Sequence, residues 1–170
     1  MSDEVTISAT EPDWSREQLS GSYQPGRKLL AAIRLYQRYS GSSPWAALQR
    51  KRAVLQHRLW SAVCASDIPI NTQIGGGLIL PHPHAIVIHC DAVVGPNCLI
   101  FQSVTIGTNG GKAPRIGGHV DIGAGASVLG DITIGDHAKI GANAVVLTDV
   151  PAYGVAVGVP AKVIEGRARS

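Results

Sequence analysis

The sequence predicts an all-β solenoid, a parallel β-helix of hexapeptide repeats, preceded by a short N-terminal α-helical segment. Three observations carry this. An aliphatic residue returns at every sixth position: Ile116, Ile122, Val128, Ile134, Ile140 and Val146. Glycine often follows it (Gly117, Gly123, Gly135, Gly141). The fifth position of each unit is small or aliphatic (Val120, Ala126, Ile132, Ala138, Ala144, Val150). A helix repeats every 3.6 residues and a strand every 2, so a period of six makes the repeat itself the structural unit.

Composition agrees. Apolar residues make up 45% of the 170 positions but aromatics only 5%, which suits a narrow core of Ile, Val and Ala. Twenty glycines without a G-X-Y period fit the corners of a coil rather than collagen. The net charge of +3 is too small to argue for nucleic acid. Cys64, Cys90 and Cys98 are odd in number and form no CxxC pair, so no disulfide framework is expected; Cys98 falls on a fifth position and reads as a core residue. There is no apolar run of about 18 residues for a membrane span. The N-terminus lacks a basic start and an apolar stretch, so the expectation is a soluble cytoplasmic protein without a secretory signal.

Along the chain, residues 1–25 are polar and read as a flexible tail. Residues 26–66 read as a two-helix segment. Leu29, Leu30, Ile33, Leu35 and Tyr36 recur at helical spacing, ending near Gly41; Ser43 is the candidate N-cap of the second helix, with Pro44 in its first turn. Eight of the fifteen basic residues fall here, on a face open to solvent, a membrane surface or an anionic partner. Residues 67–165 form the β-helix. Its units begin at Ile68, Ile74 and Leu80, resume after two extra residues at Ile88, Val94, Ile100 and Ile106, and resume again after four more at Ile116. Thirteen units at three per turn predict slightly more than four coils.

The interruptions are where loops leave the prism and chemistry is expected. Pro81–His84 holds two of the six histidines. His82 is the candidate general base for activating a hydroxyl, against the alternative of an exposed turn residue. Stacking the Leu80 unit on the Ile100 unit puts His82 and Gln102 in equivalent slots. Asp67, a little less than one coil earlier, is the candidate to orient the imidazole, against that of a surface residue. His84, His89 and Asp91 make no recognisable metal set, and no metal is expected. His119 and His137 should stack on an outer face, and His57 should be solvated. The second interruption, Thr108–Arg115, follows Gly107 and includes Lys112; it is one residue short of a nucleotide-hydrolysing P-loop and lacks its Ser or Thr. Backbone N–H groups near Gly107 are candidates to stabilise a thioester oxyanion.

From Asp67 onward the chain resembles the hexapeptide-repeat acyltransferases, and within them the serine O-acetyltransferase group. LILPHPHAIVIH (78–89), FQSVTIG (101–107), IGAGASVLGDITIGDHAKIGANAVV (122–146) and VPAYGVAVGVPAKVI (150–164) carry the resemblance. It implies a left-handed β-helix, a homotrimer, and acetyl-CoA as co-substrate in a groove between neighbouring prisms. It implies His82 as the base, Asp67 as its partner and Gly107 as an oxyanion contact. Gly107, Gly123, Ala124, Ala126, Ala142 and Lys162 would line the CoA path, and His84, Gln102, Lys112 and Arg115 the acceptor. There are departures: the family's aspartate before the base is Pro81, its loop Arg-His pair aligns with Lys112-Ala113, and Cys90 stands near an acidic position. The implied activity is acetyl transfer to a small hydroxyl acceptor, L-serine, without a covalent acyl-enzyme. The alternatives are O-acetylation of a sugar or surface polysaccharide precursor, and a non-catalytic CoA-binding or scaffold trimer.

Overall fold

A computed structural model describes residues 7–21 and 23–164. The β-helix is present, with three parallel faces. One runs from a bridge at Asp67 through Val87–Ile88, Thr105–Gly107 and Ser127–Leu129 to Val145–Val146. The second joins Gln73–Ile74, Val93–Val94, Arg115–Ile116 and Thr133–Ile134, extended by a bridge to Val150. The third starts at Ile79 and runs through Leu99–Ile100, Asp121–Ile122 and Lys139–Ile140 to Val155–Gly158, with Ala161–Ile164 antiparallel at its end. The prism therefore closes five coils rather than slightly more than four. The fifth was missed because Val150 follows Val146 by four positions instead of six, a shortened unit that breaks the period.

The period works because each aliphatic first position points into the prism. Ile100, Ile106, Ile122 and Ile134 are completely buried, as are the small fifth positions Ala126, Ala138 and Ala144. One coil cannot cover its own apolar face, so stacking supplies the stability. Ala126→Leu or Ala138→Leu is expected to overpack this interior and cost about 1–3 kcal/mol in a urea melt.

Helix α1 (Pro25–Arg38) closes the N-terminal end of the prism, with Leu29, Leu30 and Ile33 sharing one core with Ile68, Ile74 and Leu80. Helix α2 (Pro44–Cys64) lies against α1 and starts as expected: Ser43 Oγ accepts from the Ala46 N–H at 3.1 Å. His57, expected to be solvated, instead bonds the Ile68 carbonyl through Nε2 at 2.8 Å, tying α2 to the first strand.

The flexible-tail expectation for 1–25 is corrected for its described part. Residues 8–17 lie along the corner between the second and third faces. Asn97, fully buried there, accepts from the Asp13 N–H and donates to the carbonyls of Ser8 and Glu11, all at 2.8 Å. Trp14 covers Gly76, where a Cβ would come within 2.6 Å of the indole. Glu17 pairs with Arg34 of α1 at 2.9 Å, and Arg34 also donates to the carbonyls of Ile74 and Gly75. Residues 1–6 lie outside the described residues. Polar composition suggested disorder, but the corner supplies hydrogen-bond partners that no composition records.

Candidate active site

The site builds on the corner between the third and first faces. Successive coils stack there through the hydrogen bonds Ser103 N–H to His84 O, Gly125 N–H to Gln102 O and Asn143 N–H to Ala124 O, at 2.8–2.9 Å. His84, Gln102, Ala124 and Ala142 thus form one column along the edge of the prism. This corrects the expected equivalence of His82 with Gln102. The two extra residues fall before Pro83, so His84 takes the slot and His82 is displaced outward. With strands about 4.8 Å apart, the column from His84 to Ala142 spans roughly 14 Å. Gln102 Oε1 is buried and has no hydrogen-bond partner within the described chain. Ala126, at the fifth position, faces the core instead of the column. At Gly123 a Cβ would approach Ala142 N to 2.6 Å, so this close stacking requires glycine.

His82 and Asp67 are both exposed and no hydrogen bond joins their side chains. Their backbones are nonetheless held together by their neighbours. Ser66 Oγ, buried, donates to the Pro83 carbonyl at 2.7 Å and accepts from the Ile86 N–H at 3.0 Å. Asp67 itself is fixed by its N–H to Ile86 O and by the Ile88 N–H to its carbonyl. The residue before Asp67 is therefore clamped to the residue after His82. Sequence reasoning missed Ser66, since a lone serine ahead of a strand carries no pattern. Beside this corner lies a cleft of about 400 Å³, lined by Arg16, Tyr23, Arg27, Leu80, Pro81 and His84.

The second interruption leaves the prism between the first and second faces. Gly107 is in register with Leu129 and its carbonyl accepts from the Gly130 N–H at 3.0 Å. In a parallel ladder both groups of such a residue face the same neighbour, so the Gly107 N–H is a ladder donor. Donors for an oxyanion are better sought in the amides that follow, at Thr108 and Asn109, which make no hydrogen bond within the described chain. Lys112, largely exposed, lies 3.4 Å from Asp131, and Arg115 is exposed. Ala113 is buried, so its side chain offers nothing to a ligand. Lys162 is exposed on the last strand, opposite Val157.

Other candidates are structural or separate. Cys98 is fully buried and its thiol is pushed up to about 11 by desolvation, while all three cysteines are free. His89, Cys90 and Asp91 bring ligand atoms within 4.8 Å of one another; His84 is not among them. His119 and His137 stack as expected, with their Nδ1 atoms 2.8 Å apart, and His137 lies over Tyr153. That hydrogen bond needs one ring to donate and the other to accept. Burial holds the His119 imidazole below the ordinary value of 6.5, assisted by the positive field of His137 and opposed by Asp121. The unfolded chain then binds the proton first, so stability should fall as the pH drops below about 6.5. Urea melts across this range should show the fall, and His119→Asn should flatten it.

The family described as bacterial transferase hexapeptide (six repeats) matches residues 113–148. Serine acetyltransferase 1, chloroplastic, of Arabidopsis thaliana is 45% identical over 127 residues, 72% of this chain and 40% of that protein. A serine acetyltransferase structure in complex with CoA superposes with a TM-score of 0.69 at 34% identity, over 84% of this chain and 57% of that one. A soybean serine acetyltransferase complexed with serine gives 0.70 at 38% identity, over 82% and 57%. The chain thus spans about half the length of the relatives it matches. Repeat, five-coil left-handed prism and relatives agree: the chain belongs to the hexapeptide-repeat acyltransferases, on the branch of the serine acetyltransferases.

Proposed function

We propose that this chain transfers an acetyl group from acetyl-CoA to a hydroxyl, with L-serine as acceptor. The observation that carries the reading is the Ser66 clamp, which holds Asp67 and His82 at one end of the column His84–Gln102–Ala124–Ala142. In this reading His82 removes the proton of the serine hydroxyl as its oxygen attacks the thioester carbonyl, and Asp67 fixes the imidazole. The loop amides after Gly107 stabilise the negative charge that develops on the carbonyl oxygen. The proton passes from His82 to the departing thiolate, so no covalent acyl-enzyme is needed. Gly123, Ala124 and Ala142 leave the later part of this edge free of large side chains, where an extended pantetheine arm would lie. Lys162 sits toward the far end, suited to phosphate.

The relatives crystallised with CoA and with serine support both substrates. A homotrimer with the groove between prisms and a cytoplasmic location complete the proposal. Mixing the full chain with acetyl-CoA and L-serine and following thiol release tests it. Absence of turnover on serine, alongside turnover on a nucleotide sugar, would replace the acceptor. Pro81 and the buried Ala113 favour that second reading, since neither offers the polar contact found at those positions in the family. CoA binding with no transfer to any acceptor would leave a scaffold.

A further inference from the structure

Residues 18–66 contain eight Lys and Arg and neither Asp nor Glu, whereas the rest of the chain is net acidic. This segregation coincides with an unpartnered helix face. Helix α2 turns Ala46, Gln49, Ala53 and Cys64 inward. Its opposite side carries Trp45, Leu48, Leu55, Leu59 and Val63, with Leu55 71% and Trp45 61% exposed. Their spacing of three, seven, four and four residues makes one stripe along the helix. Lys51 and Arg58 follow one edge of this stripe, and Arg52 stands within it. Arg50 turns toward α1, where its guanidinium lies over the Tyr36 ring at 5.1 Å beside a groove formed with Ala47, Lys51 and Val54. None of these four cations makes a salt bridge among the described residues.

We propose that α2 lies on the surface of an anionic phospholipid bilayer, its leucine stripe among the acyl chains and its basic edge at the phosphates. The charge decides the occupant. Two copies meeting stripe to stripe would bring Lys51, Arg52 and Arg58 of each together, six cations without one carboxylate from either helix, whereas a phosphate layer neutralises them. Long Lys and Arg stems flank an apolar stripe and still reach polar headgroups. Trp45, at the helix start, has the amphipathic ring favoured at a membrane–water boundary. The helix is not apolar enough to cross the bilayer, so it lies along it.

Cosedimentation of the full chain with vesicles of phosphatidylglycerol and phosphatidylcholine in equal parts, against phosphatidylcholine alone, tests the proposal. Binding to the anionic vesicles only, weakened by added salt, is expected. Each basic residue contributes roughly fivefold, so the triple variant Lys51→Gln, Arg52→Gln, Arg58→Gln should bind about a hundredfold more weakly. Leu55→Ser with Leu59→Ser should abolish binding, and both variants should melt like the unaltered protein. Absent binding, or equal binding to both vesicle types, overturns the proposal. So does a drop in the solution mass of the Leu55→Ser, Leu59→Ser variant, which would assign the stripe to a second copy of the chain.

Discussion

Replacing His82 by alanine is expected to lower acetyl transfer by roughly 10²–10⁴-fold, the usual contribution of a positioned general base. The thermal midpoint should not move, because His82 is exposed and its side chain makes no hydrogen bond among the described residues. CoA affinity should also hold, since the column from Gln102 to Ala142 is untouched. Asp67→Asn separates the two roles of the dyad. Its backbone bonds to Ile86 and Ile88 survive, so the strand stays in place while the orienting charge is lost. A fall in kcat with little change in KM is the expected result. Ser66→Ala is the sharper check on geometry. It leaves the Ile86 N–H and the Pro83 carbonyl without their shared partner, loosening the turn that carries His82. Unchanged turnover in His82→Ala would remove the base from the proposal altogether.

The largest effect on stability is expected at Asn97. Its buried side chain makes three part-buried hydrogen bonds with residues 8–13, and its carbonyl accepts from Arg16 at 2.6 Å. Asn97→Ala leaves one N–H and two carbonyls unpartnered, at about 1–3 kcal/mol for each group that stays buried. It also puts alanine at φ +60°, a left-handed conformation that asparagine tolerates better. A total loss of roughly 3–5 kcal/mol is expected in urea melts. Asn97→Gly relieves the backbone part alone, so the difference between the two variants measures it. Faster cleavage between residues 8 and 17 by protease should accompany both variants. Equal melts for Asn97→Ala and the unaltered protein would mean that residues 8–17 contribute nothing to the fold.

How far the sequence could be read depended on whether a feature repeats. Ile116 to Val146 keep the period without a break, and each of those residues is buried where the pattern puts it. Ser43 and Pro44 mark the start of α2 because capping is local chemistry. His82 and Asp67 were legible only through the resemblance, since a histidine in a proline-rich turn and an aspartate before a strand are individually ordinary. Where the period is interrupted, counting fails. Two extra residues leave open which histidine stacks on Gln102, and hydrogen bonds alone assign that slot to His84. The fifth coil was lost for the same reason, at the short step from Val146 to Val150.

The sequence by itself determined the prism, the order of its units and the two breaks where loops emerge. These follow from a repeating requirement that every coil bury the same two positions. Only the tertiary structure decided that residues 8–17 are docked, that Ser66 joins the Asp67 and His82 segments, and that one side of α2 is left apolar and basic. Each of these depends on contacts between residues far apart in the chain. Asp13 and Asn97 are separated by 84 positions, and Ser66 and Pro83 by 17. No local periodicity encodes such a pairing, because the partner exists only once the coils have stacked.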